Sequence, residues 1–225
     1  MKYDLHYEVE NVRANNADEY AKVMGERYDI AERVIEGLKD IYSWAKKDIQ
    51  KDVPVRHIAK TLQIHKRTVT KEEADRAITN IEIIRAGMPK EGELPPDEYS
   101  KKVTSYNSFI GRNQRALDRY NEEAPDQTME TVLHTVQVGD IAFATNRFEL
   151  YMDFMHQIQA RSPFIQTFVV ELAGAEGGSY LATNRGVANR GYSASIFCNQ
   201  ASPLGGHEIV ENTLEMLNEM KEKDQ

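Results

Sequence analysis

The sequence predicts a mixed α/β fold: a mixed sheet containing a βαβ unit near residues 140-172, flanked by long helices. Three observations carry that prediction. Long stretches repeat apolar side chains at three-and-four spacing, as amphipathic helices do. Short runs rich in β-branched and aromatic residues lie between them, as strands do. Two such runs, Ile141 to Thr145 and Phe164 to Leu172, bracket one helical stretch, and that connection is long enough for a crossover between parallel strands.

The elements follow in order. Ala17 to Asp48 reads as a long amphipathic helix, with Val23, Met24, Val34, Leu38 and Ile41 on its apolar stripe, and Lys51-Asp-Val-Pro54 breaks it. Arg56 to Arg67 alternates, with Ile58, Leu62 and Ile64 on one side, and reads as a strand ending in a basic tip. Thr70-Lys-Glu-Glu73 is a capping box that opens a second helix running to about Ala86. Pro89 to Pro96 is an exposed connection, and the polar helix from Asp97 to Glu123 is expected at the periphery, or as an insertion that supports an interface. Met129 to Val138 and Ile141 to Thr145 form a hairpin turning at Gly139-Asp140. Phe148 to Gln159 is expected as a helix, Phe164 to Leu172 as a buried strand, Gly174 to Ala201 as loops, and Gly206 to Lys223 as the last helix. One domain thus runs through three sections: 1-88, 89-127 and 128-225.

Composition narrows the function. A chain of 225 residues with 40% hydrophobic and 28% charged residues is globular rather than disordered. A net charge of −8 argues against nucleic acid as a partner, because phosphate neutralisation needs a basic face. Cys198 is the single cysteine, which excludes a disulfide framework and a cysteine-based zinc finger. No apolar run approaches the ~20 residues of a transmembrane segment. Met1 to Glu8 lacks the apolar stretch of a signal peptide. Of 13 glycines, seven lie between Gly174 and Gly206, so chemistry is sought first in that quarter.

Ligands of parallel sheets bind beyond the carboxyl ends of the strands. Thr145 to Glu149 and Gly174 to Tyr180 both leave from that edge, so they are expected to converge on one site. Glu149 admits two readings. With Asn146 as a helix cap, Glu149 falls at the third helical position and completes a capping box. Alternatively it is a metal ligand or general base, with Asp153 and His156 at helical spacing behind it. Tyr180 follows Gly177-Gly178-Ser179, an approach that presents a phenol to a cavity or packs its ring under the loop. The glycines lack a GxGxxG register, and GxSxG is absent. His207-Glu-Ile-Val-Glu211 lacks the second histidine of a zincin helix and reads as the start of the last helix, with Glu208 and Glu211 solvated. Cys198 sits among polar residues with no nearby partner.

Four segments carry a further signal: IAFATNRFELYMDF, ARSPFIQTFVVELAG, GGSYLATNRGVANRGYSA and SPLGGHEIVENTLEML. In order and spacing they resemble the carboxyl part of the catalytic domain of the neutral/alkaline ceramidase-like family, nearest its bacterial members. The resemblance covers about residues 128–222 and continues more faintly through Leu62 to Ala77 and the first helix.

The resemblance implies a zinc-dependent amidase that cleaves the N-acyl bond of a sphingolipid-like substrate. It implies Glu149 and Tyr180 as two zinc ligands, and Tyr192 as the group that hydrogen-bonds the oxyanion. Gly177, Gly178 and Gly191 would line the substrate loop. The family takes its other two ligands, both histidines, from an amino-terminal half that has no counterpart here. Nor does the segment of its catalytic serine, Gly-Asp-x-Ser-Pro, match Met1 to Glu10, and His6 cannot be carried over. Arg147-Phe148 stand where characterised ceramidases have Pro-Gly before the glutamate.

The chain is therefore expected to be the carboxyl half of such a hydrolase, an incomplete domain with weak zinc affinity and no turnover alone. Its partner would be the missing histidine-bearing half, or a second copy through an exposed apolar edge or patch. A secreted or periplasmic setting follows only by analogy with full-length relatives. The alternative is a non-catalytic scaffold that keeps the fold, its polar helix serving a partner. A hydrolase for another amide or ester is a third reading, since specificity does not follow from fold.

Overall fold

The structure is a computed structural model that describes residues 17–122, 124, 127–174 and 178–223. The chain divides into two compact units after Val53. Within the first, α1 (Ala17–Ala45) is the long amphipathic helix. It ends three residues earlier than the periodicity predicts, where the Lys47 and Asp48 amides turn back onto the Trp44 and Ala45 carbonyls. Its apolar stripe, including Val34, Leu38 and Ile41, is exposed.

The second unit is the α/β body. Its elements are β1 (Val55–His65), α2 (Lys71–Ala86), α3 (Pro96–Glu122), β2 (Thr128–Val138), β3 (Ile141–Thr145), β4 (Glu149–Leu150), α4 (Met152–Arg161), β5 (Gln166–Val170), β6 (Tyr180–Leu181), α5 (Asn184–Asn189) and α6 (Pro203–Glu222). A four-stranded sheet runs β1-β2-β3-β5. Its first three strands are antiparallel, and β3 and β5 are parallel, joined by the α4 crossover. The mixed sheet and the βαβ unit stand as the alternation of runs predicts. Gly139 turns the β2–β3 hairpin with φ 62°, a left-handed conformation that costs glycine nothing.

One face of this sheet carries the core. Ile64, Leu133 and Ala142 meet Phe154 and Ile158 of α4 and Val210, Leu214 and Leu217 of α6. Alternation along β1 puts Ile58, Leu62 and Ile64 on that face, as their spacing predicts. Phe164 to Leu172 is not a strand buried on both faces. The strand is Gln166–Val170, with Thr167 buried and Phe168 and Val170 exposed, because helices cover only one side.

Two other expectations change. The strand ends at His65, short of the basic tip, and Arg67 beyond it is buried and pairs with Glu73 at 2.8 Å, inside the capping box that Thr70 and Glu73 form. The α3 helix is integral rather than peripheral. It packs on α2, and Ala116 joins Val69, Ala77 and Ile196 in a second apolar cluster. No helix among the described residues is long and apolar enough to cross a membrane.

Candidate active site

The site is built where β3 and β5 end. The expected helix at Phe148 does not form. Instead Asn146 Oδ1 accepts from the Phe148 amide at 2.8 Å, a local turn of the kind short polar side chains make. That turn delivers Glu149 into β4 rather than into a helix, so Glu149 completes no capping box. The helix opens later, at Met152, with Tyr151 as its cap residue.

β4 pairs in parallel with β6, and the register sets Glu149 opposite Tyr180 and Leu150 opposite Leu181. The Glu149 amide donates to the Ser179 carbonyl at 3.2 Å and the Tyr151 amide to Leu181 at 3.0 Å. Tyr180 is thus held by backbone pairing, not by a flexible loop. Gly178 makes the pairing feasible: a Cβ there would lie 1.8 Å from the Arg147 carbonyl oxygen and 2.7 Å from Phe148 Cα. This glycine serves a close backbone approach. Gly191 has no neighbour within 4 Å of its Cβ direction, and Gly177 lies outside the described residues.

The side chains converge as the backbone does. The Glu149 carboxylate, facing it across the strand pair, holds the Tyr180 phenol above its usual range. The Tyr192 ring stands edge-on to Tyr180, with centroids 6.1 Å apart and planes 74° apart. Tyr192 is 68% exposed, so the group is open to solvent on that side. Cys198 beside it raises the Tyr192 phenol too. Cys198 therefore has a neighbour that its sequence context does not reveal. Glu171 is a second carboxylate nearby. Burial chiefly raises its pKa and the charge of Glu149 adds to this, while its bond from the Leu150 amide, at 3.1 Å, opposes the shift.

Two arginines hold the segment carrying Tyr192 and Cys198. Arg67 Nη1 donates to the Ala194 carbonyl. Arg119 Nη1, from α3, donates to the Ile196 carbonyl at 3.0 Å, and its Nη2 to the Arg67 carbonyl. Tyr151 and Ser193 hydroxyls meet at 2.8 Å. The remaining candidates lie elsewhere. Asp153 pairs with Arg185 at 2.9 Å rather than joining Glu149 and His156. Glu208 is not simply solvated: it accepts from both the amide and the ring of His65. Glu211 pairs with Arg161.

As a zinc site, this donor set falls short. Glu149 and Tyr180 offer two oxygens, but a protein zinc site needs about three or four donors. Among the described residues, no group of three or more histidine, cysteine, aspartate or glutamate side chains is placed to hold a metal. The described residues of this chain do not complete a zinc centre.

No family model matches the chain, and no curated protein matches it. A ceramidase solved in complex with C2 superposes with a TM-score of 0.37 and 12% identity. The superposition takes in 47% of this chain and 17% of that one, and a likeness so partial carries no argument about activity.

Proposed function

We propose that this chain contributes the glutamate and tyrosine half of a ceramidase-like amide-hydrolase site. In this reading Glu149 and Tyr180 are two donors of a zinc centre whose histidines come from outside the described residues. The observation that carries it is the register pair: two residues 31 positions apart, singled out together by the resemblance, face each other across β4 and β6.

The arrangement supports a division of labour among this chain's own groups. The β4–β6 pairing fixes Glu149 and Tyr180 opposite each other at the strand edge. Tyr192, exposed beside them, offers an O–H donor where the carbonyl oxygen of an N-acyl substrate gains charge; such a donor acts through charge that develops in the transition state.

The test is co-expression with the histidine-bearing amino-terminal half of a ceramidase-like relative, followed by fatty-acid release from a short-chain ceramide analogue. Turnover is expected only in the assembled pair, lost in Glu149→Gln and lowered about 10²-fold in Tyr192→Phe with little change in KM. A pair that assembles with no turnover would instead favour a scaffold that keeps the fold without its chemistry.

A further inference from the structure

The sheet has two faces, and the described residues of the second unit cover only one. On the side away from α4 and α6, Val55, Val132, Phe168 and Val170 are exposed at 69%, 42%, 45% and 39%. Alternation and register place them on one surface with the Phe143–Phe168 stack, whose centroids are 5.1 Å apart. An apolar surface this continuous marks an interaction site.

We infer that this face is closed by the same face of a second copy of the chain, two sheets packing into a β-sandwich. Three features point to that occupant. The surface is a flat array of β-branched and aromatic side chains, and two such sheets interdigitate about 10 Å apart at roughly −30°. It is also nearly uncharged: Glu130 is the one acidic side chain on these rows and lies toward one end, so like faces meet without repulsion. The two polar rings in its midst stack and share a hydrogen bond, His57 Nε2 and His134 Nδ1 lying 3.0 Å apart with ring planes 10° apart. That internal bond lowers the cost of drying this part of the face.

Two strands of 11 residues and two of 5 project about 500 Å² at ~3.3 Å per residue and ~4.8 Å per strand. Pleating and the side chains raise the accessible area above that projection, toward the roughly 800 Å² per partner that a stable dimer buries. This inference does not depend on the zinc reading.

The experiment is sedimentation equilibrium on the full chain, with circular dichroism melts to verify folding. A dimer is expected, weakened at least tenfold by Phe168→Glu and by Val136→Lys. Val55→Lys, at a position exposed enough to leave the monomer fold intact, should weaken it as well. Leu38→Glu, on the exposed stripe of α1, should leave it unchanged. A monomeric wild type overturns the inference. So does an open-ended series of oligomers, a dimer that survives Val55→Lys, or one that Leu38→Glu alone dissolves.

Discussion

Glu149 owes its position to two neighbours that perform no chemistry. Asn146 turns the chain out of β3, and Gly178 lets the incoming strand lie against Arg147 and Phe148. Gly178→Ala forces a methyl group into backbone and should cost at least ~2 kcal/mol in urea unfolding. It should also part Tyr180 from Glu149, and ultraviolet titration would then show the Tyr180 phenol falling back toward its ordinary range. Glu171 makes a prediction of opposite sign. Its folded pKa is raised, chiefly by burial. Its contribution to stability is therefore fully present below the unfolded pKa and lost as pH rises through the folded one. Glu171→Gln, which keeps the acceptor for Leu150, should raise Tm slightly at neutral pH and leave it unchanged near pH 3. Glu149 and Tyr180 are legible in the sequence by resemblance and by strand-edge geometry. Glu171 and Cys198 are not, because their partners come from separate segments that only the fold brings near.

At the scale of elements, α3 is where composition misleads. Its polar surface suggests a peripheral helix, yet Arg119 reaches carbonyls of the site loop 77 and 80 residues away. Such bonds leave no local pattern. The Thr70–Glu73 capping box is the contrary case, readable because its partners are three residues apart. Glu73 also neutralises Arg67, whose pKa is lowered chiefly by burial. Glu73→Gln leaves a buried, unpaired guanidinium and should cost about 3 kcal/mol. Arg119→Met should raise hydrogen exchange across residues 193–199 while leaving β1 and β2 protected, since the arginine ties that segment to the body. The helix expected from Phe148 starts at Met152 for an equally local reason. The Asn146 turn and the pairing with β6 take the amides that a first helical turn would have left open.

For the whole molecule, the βαβ unit and the hairpin follow from periodicity alone. The bare sheet face does not, because a β-branched run reads the same whether one side or both are covered. The expected apolar patch thus lies on a face of the sheet and not only at its edge. The half-assembled donor set fits an account in which the chain carries part of a larger catalytic unit. The most direct test of that account is a calorimetric zinc titration of the isolated chain beside Glu149→Ala, with amide hydrolysis followed in the same samples. The account predicts binding weaker than micromolar and no turnover. Micromolar or tighter binding that Glu149→Ala abolishes, with hydrolysis by the isolated chain, would contradict it.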